Sequence, residues 1–86
     1  MDKINIIDVR YFNDASKEPV QGAINIPVAY LKRNLNEIPD RNLHVIGLTF
    51  IEKNISIRIL KQKGFQVSGY TIFDHNRNHI EIKTIA

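Results

Sequence analysis

The 86-residue sequence contains no cysteine and no tryptophan. The absence of cysteine excludes disulfide bonds, thiolate-ligated zinc, iron–sulfur clusters and any cysteine nucleophile. Long hydrophobic runs are also missing, since no segment approaches the roughly 20 apolar residues that a membrane-spanning helix needs. No signal-peptide pattern follows Met1. These absences lead us to expect a cytoplasmic protein without a membrane partner.

The composition is that of an ordinary folded domain, with 43% hydrophobic and 24% charged residues. We therefore expect a single domain over residues 1–86, because a chain of this length rarely builds two cores. The formal net charge is +3. Basic residues are scattered among acidic ones and are not interleaved with aromatic residues, so we predict no nucleic-acid partner.

Strand-like apolar runs alternate with helical stripes along the chain. The predicted strands cover residues 4–9, 22–27, 43–48 and 65–73. The spacing of apolar residues over 28–38, and of Ile51, Ile55 and Ile59 within 49–63, predicts two helices, the second ending at Gly64. A turn over 74–78 and an alternating tail predict a C-terminal hairpin with an exposed edge strand. The expected fold is three-layer α/β, with a mostly parallel central sheet flanked by helices.

Three motifs carry a family resemblance over roughly residues 4–70. The segments 6–10 (Ile-Ile-Asp-Val-Arg), 22–27 (Gly-Ala-Ile-Asn-Ile-Pro) and 63–67 (Lys-Gly-Phe-Gln-Val) together resemble a single-domain rhodanese. This resemblance implies the rhodanese-like fold and a sulfurtransferase ancestry. Rhodaneses place a cysteine at the end of the central strand, in a loop whose N–H groups hold the thiolate and persulfide at a helix N-terminus.

The resemblance breaks down at that loop, where Gly47 occupies the position of the nucleophile. Glu52 stands where the family has an arginine, and Lys53 where it has a serine. Thr49 and Glu52 also match a capping box, which would use the N–H groups that an anion needs. We therefore predict no sulfurtransferase activity and no cofactor. The residues expected to form a binding loop instead are Gly47, Leu48, Thr49, Phe50, Ile51, Glu52 and Lys53.

The large apolar residues of this loop allow two interpretations. Leu48, Phe50 and Ile51 either fill the vacated pocket or form a surface for a protein partner, and the sequence leaves both open. Asp8 and Arg10 are expected to be scaffold residues that fix the end of the first strand, because a lone ion pair is usually structural.

The predicted function is that of a catalytically inactive rhodanese-like module that binds or regulates another protein. One alternative is a cysteine-independent enzyme that binds an anion or small molecule in the same cleft. Another is a homo-oligomeric structural protein, with a homodimer formed through the C-terminal strand. His75 and His79 are flanked by turn residues and are not joined by further ligand residues, so we predict no metal site.

Overall fold

Five strands form one sheet in the computed structural model, which describes residues 4–39, 42–74 and 79–84, with side chains only up to residue 73. The strands are β1 (Asn5–Asp8), β2 (Ala23–Asn25), β3 (Asn42–Gly47), β4 (Gln66–Asp74) and β5 (His79–Thr84). Their order across the sheet is β2-β1-β3-β4-β5. The first four run parallel, and β5 pairs antiparallel with β4. The predicted fold class is confirmed, while residues 75–78 of the predicted turn lie outside the described residues.

Two α-helices and two 3-10 helices connect these strands. The α-helices are α1 (Phe12–Lys17) and α2 (Phe50–Gln62), and the 3-10 helices are Val28–Arg33 and Leu35–Glu37. The helix predicted over 28–38 is therefore of the 3-10 type and is divided at Asn34, where the N–H of Asn34 donates to the carbonyl of Leu31 in an i to i−3 pattern. α2 ends as predicted, since Gly64 adopts a φ of 89° just after it.

The hydrophobic core lies between the sheet and α2. Ile7 and Val45 are neighbours on β1 and β3, and both are fully buried against Leu31 and the helix residue Leu60. The opposite face of the sheet carries α1, whose Ala15 lines a depression with residues of β1 and β2. Helices therefore flank both faces. No helix within the described ranges is long and apolar enough to cross a membrane.

The apolar stripe expected on α2 does not face the core along its whole length. Ile59 is buried, whereas Ile51 and Ile55 point to solvent. A step of four residues turns an α-helix by about 40° beyond one full turn, so the stripe winds around the helix. The inward positions of α2 are Ser56, Ile59 and Leu60.

Candidate functional site

The loop after β3 lies at the centre of the sheet, because β3 pairs with β1 on one side and β4 on the other. Gly47 is the last residue of β3, and α2 begins at Phe50. The carboxyl ends of parallel strands are where α/β proteins of this kind bind their ligands. Residues 47–53 thus begin at the carboxyl end of the central strand, and their role as a binding loop stays a prediction.

Thr49 and Glu52 close the start of α2. The Thr49 hydroxyl oxygen accepts the N–H of Glu52 at 3.2 Å, and the Glu52 carboxylate accepts the N–H of Leu48 at 2.8 Å. The predicted cap by Thr49 is confirmed. The carboxylate, however, binds the residue before the N-cap instead of the N-cap itself, which a capping box would use. A carboxylate in this place is also favoured by the positive end of the helix dipole.

Three N–H groups of the loop donate to acceptors within the chain. Besides the N–H groups of Leu48 and Glu52, that of Lys53 donates to the Thr49 carbonyl at 3.1 Å. An anion binding to the Leu48 N–H would have to displace the Glu52 carboxylate, and any anion in this loop would meet its negative charge. The Leu48 N–H is thus already bonded to a carboxylate of the chain itself.

Gly47 has little free space around it. A Cβ atom added there would lie 3.3 Å from the Thr49 carbonyl oxygen and 3.4 Å from the Lys53 nitrogen. Both neighbours are backbone atoms at the start of α2, so a larger residue requires a small shift of the helix. The loop is therefore fitted to glycine.

Lys53 lies between two aromatic rings. Its ammonium nitrogen is 4.1 Å from the ring centroid of Tyr70 and 5.3 Å from that of Phe50. The two rings meet edge to face with centroids 6.5 Å apart. Such contacts favour a cation over the ring faces. Tyr70 is not among the residues predicted for the site, because only the pairing of β4 with β3 brings it beside the loop.

The loop and the first turns of α2 expose a set of apolar side chains that we call the loop patch: Phe50, Ile51 and Ile55. Their exposed fractions are 48%, 71% and 47%. Phe50 and Ile51 therefore do not fill a vacated pocket, while Leu48 is half-buried. Their role in binding a partner stays a prediction.

Asp8 and Arg10 form a buried, two-pronged ion pair. The Arg10 side chain donates to the two Asp8 carboxylate oxygens at 2.9 and 2.7 Å, and also to the Glu18 carbonyl at 2.8 Å. Its guanidinium carbon lies 4.9 Å from the ring centroid of Phe73. The hydrogen bonds that Arg10 donates to the Asp8 carboxylate raise the pKa of Arg10 above its ordinary value. These contacts tie the end of β1 to the segment after α1 and to β4, which is a scaffold role.

His44 is turned away from the loop. Its Nε2 lies 2.7 Å from the Thr71 hydroxyl of the neighbouring strand, and burial lowers the pKa of the imidazole. It therefore does not serve as a base for Thr49. Among the residues whose side chains are described, no group of three potential metal ligands comes together. His75 lies outside the described residues, and only the backbone of His79 is described.

Comparison with solved structures identifies the fold. A rhodanese-like domain from Anabaena superposes with a TM-score of 0.72 at 20% identity, covering 87% of this chain and 88% of that chain. A protein from Staphylococcus saprophyticus superposes with a TM-score of 0.73 at 21% identity, covering 94% and 84%. No protein-family profile and no curated protein matches the chain.

The reduced CoADR-RHD protein of Bacillus anthracis is 32% identical over 72% of this chain, with a TM-score of 0.65. The present chain spans only 11% of the length of that protein. These similarities, with the order and direction of the strands, define the protein as one with the rhodanese-like fold. It is a version of that fold without cysteine.

Proposed function

We propose that this rhodanese-like domain is a non-catalytic module that binds a protein partner through the loop patch. The observation that carries the proposal is the 2.8 Å hydrogen bond from the Leu48 N–H to the Glu52 carboxylate. This bond holds a negatively charged carboxylate in the loop in which the resemblance would place a thiolate and its anionic substrate.

The absence of a nucleophile supports the non-catalytic half of this proposal. The sequence has no cysteine, and the resemblance assigns the nucleophile position to Gly47. Thr49, the hydroxyl residue of the loop, accepts the N–H of Glu52, and His44, the histidine whose side chain is described, is bonded to Thr71 instead of serving Thr49 as a general base. A covalent sulfur intermediate therefore has no cysteine thiolate on which to form.

Exposure of apolar side chains supports the binding half. Ile51 and Ile55 are one helical turn apart and so form adjacent parts of one surface. Phe50 extends this surface to the carboxyl end of the sheet. Burying a side chain of this size stabilises a complex by roughly 1.5 to 3 kcal/mol before the costs of association.

Affinity capture from the native cell extract tests the proposal, with the wild-type chain compared with Ile51→Asp and Gln62→Asp. Both residues are exposed on α2, but Gln62 lies at the other end of the helix and outside the loop patch. We expect a partner that Gln62→Asp retains and Ile51→Asp loses. A partner that survives Ile51→Asp, or no specific partner at all, would contradict a binding role for the loop patch.

Titration with sulfate, phosphate and sulfite distinguishes this proposal from an anion-handling enzyme in the same cleft. Amide chemical shifts of residues 47–53 should not move, because the Glu52 carboxylate already accepts the Leu48 N–H and its negative charge repels an anion. Saturable shifts in this segment at millimolar anion or below would favour the enzyme instead.

Self-association is a separate proposal that rests on the end position of β5 in the sheet. Its backbone pairs with β4, and a strand at the end of a sheet offers its outer edge to another strand. Sedimentation of the chain with and without residues 79–86 tests this: a dimer that needs the segment supports it, and a monomeric full chain refutes it.

A further inference from the structure

Two exposed aromatic rings outside the loop patch stand next to each other. Phe12 begins α1 and Tyr30 lies in the first 3-10 helix, with exposed fractions of 58% and 45%. Their ring centroids are 6.2 Å apart and the ring planes differ by 23°, so the rings are stacked. The pair bridges the segments that follow β1 and β2. Neither ring belongs to the hydrophobic core.

A depression of about 240 Å³ opens on one side of Phe12. Its lining is mostly small and apolar, contributed by Ala15, Pro19, Val20 and Ala23. Asp8 also lines it, and the Asp8 carboxylate is already bonded to Arg10. The depression therefore offers an apolar surface with little unsatisfied charge.

A second depression, of about 220 Å³, also has Phe12 in its lining. Pro27 and Tyr30 form part of its wall, and the exposed Glu37 supplies a carboxylate at its border. Phe12 and Asn25 line both depressions. Two depressions thus share an exposed aromatic ring, the first mostly apolar and the second lined by apolar and polar residues with a carboxylate among them.

We infer that this groove, formed by Phe12, Tyr30 and the two depressions, binds an extended proline-rich peptide that carries a basic residue. A polyproline II helix has three residues per turn and advances about 9 Å in each turn, so prolines one turn apart fall on one side of the peptide. Such peptides dock on exposed aromatic rings, and their ordered backbone loses little entropy on binding.

The charge at the groove decides which proline-rich peptide it takes. Two carboxylates line the depressions. Asp8 is paired with Arg10, whereas Glu37 forms no ion pair with an arginine among the described residues. An arginine or lysine next to the prolines would approach Glu37 in the second depression. This inference is independent of the function proposed for the loop patch, since the two surfaces share no residue.

Titration with synthetic peptides, followed by amide chemical shifts, tests the inference. The probe is a blocked peptide of six prolines with two arginines at one end, made with the arginines at either end because the direction of binding is not fixed by the groove. The controls are the same peptide with alanines for prolines, and with glutamates for arginines. We expect saturable shifts at Phe12, Tyr30 and the lining of both depressions with one arginine–proline peptide, and much weaker shifts with both controls.

Substitutions identify the residues that bind. Phe12→Ala and Tyr30→Ala remove exposed rings and should each weaken binding about tenfold. Glu37→Gln should weaken binding of the arginine peptide about threefold. The same substitution should not weaken binding of the control peptide that carries glutamates in place of the arginines. Ile51→Ala, in the loop patch, should leave the affinity unchanged. Equal shifts with the alanine peptide, no shifts at millimolar peptide, or an affinity that Phe12→Ala and Tyr30→Ala leave unaltered would overturn the inference.

Discussion

Replacement of Glu52 by alanine tests how the loop is held together. The variant loses a charge-assisted hydrogen bond to the Leu48 N–H at 2.8 Å and a carboxylate near the positive end of α2. A hydrogen bond to a charged group contributes about 1.5 to 3 kcal/mol, and a carboxylate at a helix start about 0.3 to 1 kcal/mol. Because Glu52 is only half-buried, we discount these values and expect a loss of about 1.5 kcal/mol.

Urea denaturation followed by circular dichroism measures this loss. For a domain of this size, about 1.5 kcal/mol corresponds to a fall in Tm of roughly 6 to 12 °C. Glu52→Gln keeps an acceptor oxygen and should lose less, and Glu37→Ala is the control for removal of an exposed carboxylate. If Glu52→Ala is no less stable than Glu37→Ala, the carboxylate does not hold the loop and the reasoning is wrong.

Glu52→Ala should also gain the ability to bind an anion at the start of α2. Without the carboxylate, the Leu48 N–H at the start of α2 becomes available to an anion. Sulfate titration should then shift the amides of residues 47–53 in Glu52→Ala but not in the wild type.

Three further changes test other parts of the structure. Gly47→Cys should lower the free energy of unfolding by about 1 to 3 kcal/mol, since its Cβ would approach the Thr49 carbonyl to 3.3 Å; it should also show no thiosulfate:cyanide turnover, and restored turnover would contradict the view that Glu52 blocks the loop. Asp8→Asn should cost about 3 kcal/mol or more in urea denaturation, because it leaves the buried Arg10 without its counter-charge; a change below 1 kcal/mol would show that the pair is dispensable. His44→Gln tests pH dependence: burial lowers the pKa of His44 below its ordinary 6.5, so the unfolded chain takes up a proton there that the folded one does not. The stability contributed by neutral His44 is present above pH 6.5 and declines as the pH falls below it, and stability curves of wild type and variant that stay parallel between pH 7 and 5 would refute this.

The central strands could be predicted from the sequence because a buried strand is recognisable from a short run of apolar, β-branched residues. The β-branched run at residues 4–9 and the apolar run at 43–48 correspond to β1 and β3, two strands buried at the centre of the sheet. Thr49 was recognisable as a helix cap from its position before a helical stripe, and Gly64 as a stop from its position after one. Such features depend on residues close together in the chain.

The features that the sequence did not reveal depend on contacts between distant segments. Tyr70 reaches Lys53 only because β4 pairs with β3 in a register that includes an irregularity between Leu43 and His44. The stacking of Phe12 on Tyr30 likewise requires β1 and β2 to be neighbours. Ile51 has the spacing of a core residue, and the winding of its stripe around α2 turns it to solvent.

We propose that this rhodanese-like domain does not carry out sulfur transfer, and a thiosulfate:cyanide sulfurtransferase assay of the wild-type chain is the decisive test. The chain has no cysteine to carry the sulfur, and the Glu52 carboxylate is bound in the loop where the substrate anion would lie. We predict thiocyanate formation no faster than in a control without protein. Turnover well above that control, proportional to protein concentration, would contradict the claim.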